Sequence, residues 1–210
     1  MRILVVCAVA RELGGLAARA GVDVVAVGVG PVEAASGTLR ALAAGTYDAV
    51  INAGIAGGFA GRCGVGDAVV CAREDFADLG LEDGAAFPLP DGQTLVRTVE
   101  ADRGLLQPFL DGAVPVIVGR GVTSAIVTTT DARAALLAAR HRPDVESMEG
   151  FAVLRAAEAA GVPAIEVRGV SNVVGDRARN QWNFSAGADA AAATTGAYLD
   201  VLLSMLGPNR

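Results

Sequence analysis

Short apolar segments alternate with helix patterns along most of this chain, and that alternation limits the folds it can adopt. The apolar segments lie at residues 1–10, 22–29, 48–53, 67–71 and 162–170. The helix patterns lie at residues 11–20, 31–45 and 149–160. Segments that are apolar at almost every position indicate strands buried on both faces of a sheet. The sequence therefore predicts an α/β layered fold with a largely parallel sheet.

The remaining parts of the chain carry weaker patterns. The further predicted elements are a helix at residues 95–110, strands at 114–118 and 122–128, and an alanine-rich helix at 185–206. Thr130 or Asp131 is positioned to cap another helix, which Pro143 ends.

The helix that follows Gly30 has a proline in its first turn, a position that proline favours. Its larger apolar residues share one side, which we expect to face the core. These residues are Val32, Ala35, Leu39 and Leu42.

Length and composition indicate a single domain covering residues 1–210. No linker or internal repeat divides the chain, and its length supplies a substantial core. Hydrophobic residues make up 52% of the sequence and charged residues 19%, which argues against disorder. The formal net charge of −6 argues against nucleic acid as a partner, since phosphate backbones bind concentrated Lys and Arg.

The cysteines and the apolar runs indicate the cellular compartment of the protein. Cys7, Cys63 and Cys71 form no CxxC pair and would leave one thiol unpaired, so we expect them to be reduced. The apolar start is interrupted by Arg11 and Glu12 before a secretory signal is complete. No run approaches the roughly 18–20 apolar residues that a membrane-spanning helix needs. We therefore expect a cytoplasmic protein with no membrane partner.

Residues 146–176 combine a helix, a tight turn, a buried strand and a polar cluster. Glu149 stands at the head of the helix, and Gly161 supplies its C-terminal turn. Arg168 lies inside the apolar strand, and Ser171 and Asn172 follow near its carboxyl end. Ligands of open α/β sheets bind beyond that end of the strands. We therefore expect the carboxylate and the amide to converge on one pocket.

Two glycine-rich segments could bring backbone close to a ligand. Gly28-Val-Gly30 precedes a helix, but Glu33 replaces the third glycine of a dinucleotide fingerprint. This turn could hold an anion or a ribose through its N–H groups, or only reverse the chain. Residues 52–61, which include Gly54, are rich in glycine. Either a flat ligand lies against this backbone, or another part of the sheet crosses it closely.

The titratable residues limit the kinds of catalytic site that this chain can form. His141 is the single histidine and lies near the end of a helix, which argues against a Ser-His-Asp triad and against a multi-histidine metal site. Glu12 follows the first strand, where it could complement a helix dipole or act as a general base. Carboxylates, amides and arginines must therefore carry any reaction.

Together these motifs resemble the nucleoside phosphorylase superfamily, and in particular its hydrolytic branch of purine nucleosidases. The matching pieces cover nearly the whole chain: Glu12, Gly28-Val-Gly30, residues 52–58, VESMEG at 145–150 and RGVSN at 168–172. The resemblance implies a three-layer α/β sandwich around a mixed, partly barrel-like central sheet. It also implies a homodimer or higher homo-oligomer, and neither a metal nor a cofactor.

The resemblance also assigns roles to single residues. Glu12 would activate water as a catalytic base, and Arg168 would fix the water or that carboxylate. Met148 would pack on the ribose, and Glu149 would hold its hydroxyl groups. The remaining substrate-binding positions that the resemblance implies are Gly28, Gly54 and Ser171.

The base-binding position departs from the methylthioadenosine and S-adenosylhomocysteine nucleosidases, which carry Ser-Asp where this chain has Ser171-Asn172. An asparagine amide can both donate to and accept from a 6-oxopurine, so Asn172 indicates hypoxanthine. With residues 173–177 (VVGDR), the resemblance is to the futalosine hydrolase family, which releases hypoxanthine from futalosine for menaquinone synthesis. The partners implied are that nucleoside and water.

Several alternatives remain open from the sequence. Arg11 beside Glu12 is compatible with a phosphorylase, and a methylthioadenosine-type nucleosidase or a non-catalytic nucleoside sensor would share the same fold. Arg177 and Arg179 are candidates for reading an acidic group at the 5′ side of the nucleoside. Residues 175–184 could form a lid or a solvated loop.

Overall fold

The computed structural model describes residues 1–82, 84–85 and 89–205. The strands within these residues are β1 (Ile3–Cys7), β2 (Val22–Ala26), β3 (Ala49–Gly58), β4 (Ala68–Phe76), β5 (Thr98–Glu100), β6 (Ile117–Thr123), β7 (Val145–Ser147) and β8 (Ala164–Val173). The α-helices are α1 (Pro31–Ala43), α2 (Arg103–Leu110), α3 (Asp131–His141), α4 (Gly150–Ala159) and α5 (Phe184–Met205). In this part of the chain no helix is long and apolar enough to span a membrane.

Five of the strands close into a ring. β3 pairs with β7 and β8, β8 pairs with β4, β4 with β6, and β6 with β7. β1 and β2 extend the sheet from β3 as parallel strands, and β5 adds to β4 as an antiparallel one. The β3–β7 and β4–β8 pairs are also antiparallel. The mixed, partly barrel-like sheet is therefore confirmed, whereas a largely parallel sheet is too simple a description.

Helices cover both faces of the sheet, and the packing of β1 shows why its segment of the sequence is apolar throughout. Ile3 and Val5 pack in the cluster that includes residues of α5, whereas Leu4 and Val6 pack in the cluster that includes residues of α4. Each of these four side chains is fully buried. Burying one such side chain contributes about 1.5–3 kcal/mol, so the strand needs apolar residues on both sides.

Several predicted elements have the predicted type. Thr130 caps α3, with its hydroxyl oxygen accepting a hydrogen bond from the N–H of Arg133 at 3.3 Å. Gly161 follows α4 with a φ of 71°, which is the left-handed conformation expected of a glycine after a helix. β8 and α5 occupy the predicted positions to within a few residues.

Other predictions are wrong. Residues 11–20 do not form a helix; a single 3-10 turn (Ala10–Leu13) is followed by Gly14-Gly15, which have little helix propensity. Residues 95–110 hold β5 before α2, because Thr98–Glu100 pairs with β4. The two strands predicted at 114–118 and 122–128 are one strand, β6, and the short β7 was not predicted.

The buried face of α1 differs from the prediction at Val32 and Leu39, whereas Ala35 and Leu42 are partly buried against the core as predicted. Val32 is 77% exposed and Leu39 is 45% exposed, whereas Ala34, Gly37 and Thr38 are buried. A Cβ atom on Gly37 would lie 2.3 Å from the carbonyl oxygen of Val27. The small residues face inward because the helix backbone lies against the chain that leaves β2.

A pair of glycines seats α5 on β8, the strand that carries the site. A Cβ atom on Gly169 would lie 1.9 Å from the carbonyl oxygen of Gly187 and 2.7 Å from the backbone nitrogen of Ala191. Gly169 stands between Arg168 and the Ser171-Asn172 pair. The position of α5 therefore depends on the absence of a side chain at Gly169.

We expect Gly169→Ala to lower the free energy of unfolding by about 1–3 kcal/mol or more, because the added methyl group overlaps backbone atoms that cannot move independently. Gly14→Ala is the control, since its Cβ would have Arg11 carbonyl oxygen as its nearest neighbour at 3.7 Å. Urea unfolding measures both. Equal stability of the two variants would contradict the close packing of α5 on β8.

Candidate active site

A cavity of about 220 Å³ opens at one end of the strand ring. β3, β7 and β8, the turn after β1, the segment after β6 and the start of α5 all contribute to its wall. Residues that line it include Ala8, Glu12, Ile55, Gly57, Ser124, Ile126, Glu146, Met148, Glu149, Ser171, Asn172, Trp182 and Phe184.

Glu12 is held in the cavity wall by backbone groups. Its Oε2 atom accepts hydrogen bonds from the N–H groups of Ala8 at 3.0 Å and Val9 at 3.1 Å. Its Oε1 atom accepts one from the N–H of Ile55 at 3.1 Å. A Cβ atom on Gly54 would lie 2.9 Å from that oxygen, so the glycine allows the carboxylate to approach β3. Gly54 itself lies behind the lining residues.

Glu149, at the start of α4, faces the same cavity. Its Oε1 atom accepts a hydrogen bond from the N–H of Gly30 at 3.1 Å, and its Oε2 atom accepts one from Arg168 at 3.4 Å. Gly28 and Gly30 have φ values of 106° and 85°, a region that favours glycine. Burial raises the pKa of Glu149, although Arg168 and the Gly30 N–H partly oppose that effect.

The glycine turn therefore acts on Glu149. Gly28 lies outside the cavity lining, and a Cβ atom there would lie 2.7 Å from the Cβ of Glu33. The turn orients the carboxylate through Gly30, an arrangement that neither the anion-binding nor the plain-turn interpretation of the sequence included.

Arg168 is fully buried behind the two carboxylates. Its guanidinium donates to Glu166 through Nε, and to Glu149 and the carbonyl oxygen of Ile55 through Nη1. Burial alone lowers the pKa of Arg168, but Glu166, Glu149 and Glu12 outweigh it and keep that pKa above its usual value. Arg168 thus organises the acidic wall from behind and does not line the cavity.

Ser171 and Asn172 lie together in the cavity wall. The Ser171 hydroxyl lies 2.8 Å from the Oδ1 atom of Asn172, to which it can donate, and 3.2 Å from the carbonyl oxygen of Ala56. The Asn172 amide nitrogen lies 3.3 Å from the carbonyl oxygen of Val173. With its oxygen turned to Ser171 and one N–H directed to Val173, Asn172 retains one N–H that can donate to a ligand.

Aromatic side chains from residues 175–184 form the outer wall. Trp182 and Phe184 line the cavity. The Arg177 guanidinium lies 5.4 Å from the centre of the Trp182 ring, and that of Arg11 lies 4.0 Å from the centre of the Phe184 ring. Arg179 instead pairs with Asp131 and Asp176. The two arginines predicted for the 5′ side therefore have different surroundings.

Two buried carboxylates behind the site had no predicted role. Ligand atoms of Cys71, Glu74 and Glu166 all lie within 4.8 Å of one another. Burial, with the nearby Glu166, raises the pKa of Glu74 well above its usual value, and the Thr123 hydroxyl donates to it at 2.7 Å. In the sequence, Glu74 and Glu166 are each recognisable only as a glutamate within an apolar strand. Glu74 and Glu166 thus belong to one buried acidic cluster, and Glu166 accepts a hydrogen bond from Arg168.

Glu146 is a third buried carboxylate without a predicted role, and it lines the cavity. It accepts hydrogen bonds from the hydroxyl and the N–H of Thr128. Burial raises the pKa of Glu146, and both Thr128 bonds oppose that effect. In the sequence, VESMEG drew attention to Met148 and Glu149, and Glu146 was not singled out.

The chain matches the Phosphorylase superfamily over residues 4–204. It is 42% identical to the futalosine hydrolase of Streptomyces coelicolor over 84% of this chain and 77% of that protein. It is 34% identical to the futalosine hydrolase of Thermus thermophilus over 74% of this chain and 71% of that protein. The structure of the 5′-methylthioadenosine/S-adenosylhomocysteine nucleosidase from Colwellia psychrerythraea is similar, with a TM-score of 0.79, 22% identity and coverage of 98% of this chain and 96% of that one.

Removal of the Arg168 guanidinium should destabilise the fold, because the buried carboxylates that pair with it lose their counterion. We expect Arg168→Met to lower the free energy of unfolding by about 3–5 kcal/mol near neutral pH, because buried carboxylates lose their counterion. Without that counterion their pKa values rise in the folded protein, so the destabilisation should be smaller at pH 5 than at pH 8.

Urea unfolding at the two pH values measures this effect. Arg155→Met is the control, since Arg155 pairs with Glu158 on the surface, where ion pairs contribute about 0–1 kcal/mol. A loss for Arg168→Met that matches the control, or that does not change with pH, would contradict the role given to Arg168.

Proposed function

The chain belongs to the phosphorylase superfamily, and within it to the futalosine hydrolase family, and we propose that it hydrolyses the N-glycosidic bond of futalosine. The products are hypoxanthine and dehypoxanthine futalosine, in menaquinone biosynthesis. One observation carries the choice of hydrolysis: Glu12 is fixed in a cavity wall that has no cationic residue among the described lining residues. A phosphorylase would need positive charge there to hold phosphate.

Water activation falls to Glu12. Three backbone N–H groups fix both oxygens of its carboxylate: two donate to Oε2 and one donates to Oε1, so Oε1 keeps a lone pair that can accept a proton from water. As the C1′–N9 bond breaks, the water oxygen bonds to C1′ and its proton passes to Glu12. Proton transfer to a positioned base contributes about 10²–10⁴-fold in rate.

The ribose side is acidic, which suits the reaction. Breaking the glycosidic bond leaves positive charge on the sugar, and Glu12 and Glu149 place negative charge beside it. Glu149 also offers acceptors for the ribose hydroxyl groups, and Met148 supplies an apolar surface against the sugar. Arg168 keeps the carboxylates in position without entering the cavity.

The leaving base becomes negatively charged, and Asn172 is suited to stabilise it. With Ser171 donating to its amide oxygen, Asn172 offers its remaining N–H to N7 or O6 of hypoxanthine. That bond strengthens as negative charge builds on the purine, which is how a donor lowers a barrier. The departing base then takes a proton from solvent.

Of the two arginines predicted at the 5′ side, Arg177 is the better candidate for binding an acidic group. Arg179 already has Asp131 and Asp176 as partners, whereas Arg177 stacks on Trp182 beside the cavity. A guanidinium with no carboxylate partner in the described structure can bind the carboxylate of futalosine in a bidentate manner.

We also infer a homodimer or higher homo-oligomer in the cytoplasm. Val29 and Ile126 line the cavity yet are 54% and 62% exposed, and the neighbouring Val32 is 77% exposed. Apolar side chains around a cavity mouth favour a covering partner, and a second copy of the chain suits this role. Light scattering of the purified protein tests the assembly.

Base release from futalosine, inosine and methylthioadenosine, with and without phosphate, tests the function. We expect hypoxanthine from futalosine at a rate that phosphate does not change. Phosphate dependence would identify a phosphorylase, faster cleavage of methylthioadenosine would identify a nucleosidase of that type, and binding without turnover would identify a sensor.

We expect Glu12→Gln to reduce kcat on futalosine by about 10²–10⁴-fold while binding persists, because glutamine keeps the shape but cannot take the proton. Steady-state kinetics and calorimetric titration with futalosine separate the two effects. Hydrolysis near the wild-type rate by a folded variant would leave Glu12 only as a charge at the start of a helical turn.

Asn172→Asp should move the preference from hypoxanthine towards adenine. A charged aspartate repels O6, whereas the adenine amino group can donate to it, and an unpaired buried polar group costs about 1–3 kcal/mol. We expect the ratio of kcat/KM for futalosine and its 6-amino counterpart to change about tenfold or more. An unchanged ratio would mean that Asn172 does not read the base.

Arg177→Met should reduce kcat/KM for futalosine about tenfold or more, because hydrogen bonds to charged groups contribute about 1.5–3 kcal/mol. Inosine, which lacks the acidic 5′ group, should be cleaved at an unchanged rate. Arg179→Met is the matched control and should affect both substrates little. Equal losses for futalosine and inosine would exclude carboxylate recognition by Arg177.

A further inference from the structure

Glu146 is a buried carboxylate in the cavity wall that neither water activation nor ribose binding uses. It is 8% exposed and lines the same cavity as Asn172. Its two oxygens accept from Thr128, one from the hydroxyl and the other from the N–H. Each carboxylate oxygen has two lone pairs, so Glu146 keeps the capacity to accept a further hydrogen bond from a ligand.

The strand register places Glu146 and Asn172 on either side of one glycine. Gly57 of β3 pairs with Glu146 of β7 on one side and with Asn172 of β8 on the other. Neighbouring strands lie about 4.8 Å apart, so the two outer Cα atoms are about 10 Å apart. Both side chains line the cavity, and the residue between them has none.

The glycine keeps this slot flat. A Cβ atom on Gly57 would lie 3.1 Å from the amide nitrogen of Asn172 and 2.8 Å from a methyl carbon of Val174. A larger residue at this position would therefore displace the amide or occupy the space between the two polar side chains. A planar ring can instead lie over the backbone of β3, with a donor at one edge and an acceptor at the other.

We propose that Glu146 is a specificity-determining residue that accepts a hydrogen bond from the N1–H group of a 6-oxopurine, while Asn172 donates to N7 or O6. This rests on the proposed function and extends it to a second base-reading residue. A 6-oxopurine carries a proton on N1, whereas a 6-aminopurine has a lone pair there. A carboxylate at N1 therefore favours the first and repels the second.

The spacing along β3 agrees with this assignment. The Ile55 N–H holds Glu12, the water-activating carboxylate, and Gly57 lies two residues further along the strand. At about 3.3 Å per residue, the two positions are about 7 Å apart. That separation matches a nucleoside lying along β3, with its anomeric carbon near Glu12 and its base over Gly57.

Two neighbouring donors support the charged form of Glu146 against the effect of burial. Burial raises the pKa of this carboxyl, and the hydrogen bonds from the Thr128 hydroxyl and N–H oppose that rise. Ionised Glu146 is the form that accepts from N1–H. Asn172, at the other edge of the slot, is neutral and offers its remaining N–H to an acceptor atom of the same base.

The direct test compares inosine with adenosine in the wild-type protein and in Glu146→Gln. Glutamine can present either its oxygen or its NH₂ group to N1, so it accepts both bases. We expect the ratio of kcat/KM for inosine over adenosine to fall about tenfold or more. Glu74→Gln, at a buried carboxylate outside the cavity lining, should change both substrates by the same factor. A ratio that Glu146→Gln leaves unchanged would overturn the proposal.

A second measurement does not need Glu146→Gln to fold. Calorimetric titration of the wild-type protein with hypoxanthine and 1-methylhypoxanthine compares bases that differ only at N1. We expect the methylated base to bind about tenfold or more weakly, and Glu146→Ala, which removes the carboxylate and leaves room for the methyl group, to reduce that difference to about threefold or less. Equal affinities in the wild-type protein would overturn the role of Glu146.

The two proposals fail in different ways. A wild-type protein that cleaves no purine nucleoside, yet prefers hypoxanthine to its N1-methyl form, would contradict the hydrolase and support Glu146 as a reader of the base. Hydrolysis of futalosine with no discrimination at N1 would support the hydrolase and contradict the assignment of Glu146.

Discussion

The guanidinium of Arg168 is the group on which the geometry of the site depends. It is buried with Glu166, Glu149 and Glu12 around it, and burying a guanidinium requires carboxylates of this kind as partners. Glu166 fixes the guanidinium from behind, and the guanidinium in turn supports Glu149 at the front. Of the charged groups in this cluster, the substrate would meet only the carboxylates, because their counterion is one layer deeper. Glu149 and Glu166 are thereby paired with a cation, whereas Glu12 is held by backbone N–H groups.

The local elements of this site follow from sequence patterns, whereas the pairing between them does not. α4 and β8 are evident from apolar periodicity and from Gly161, and Glu12, Glu149 and Asn172 stand out as polar residues at element ends. Closure of the ring through the short β7 could not be read from the sequence, because apolar runs report burial and not which strands are neighbours. Arg168 was a predicted ligand contact, yet its position behind the lining residues depends on that closure.

The glycines are recognisable from the sequence, whereas the residues that they contact are not. The segment at 52–61 was recognised as needing close approach, but its partner was not defined by sequence. The structure shows different reasons at successive positions: Gly54 makes room for Glu12 and Arg168, whereas Gly57 makes room for Asn172 and Val174. The outward-facing Val32 of α1 is a related case, since a helix packed through Ala34 and Gly37 leaves Val32 and Leu39 on the outside.

The two sides of the cavity are built from different parts of the chain. β3, β7 and β8 are joined by backbone hydrogen bonds within the closed ring, whereas Trp182 and Phe184 come from the segment that connects β8 to α5. Substitutions and length changes in that connection leave the ring pairing intact, so the surface that faces the 5′ end of a ligand is free to diverge. The surface for the base has less freedom, because Gly57, Glu146 and Asn172 also pair within the ring, so only single side chains such as that of Asn172 can change there. A ring of this kind can therefore accept a new 5′ group through a changed connection, whereas a new base requires the exchange of individual side chains.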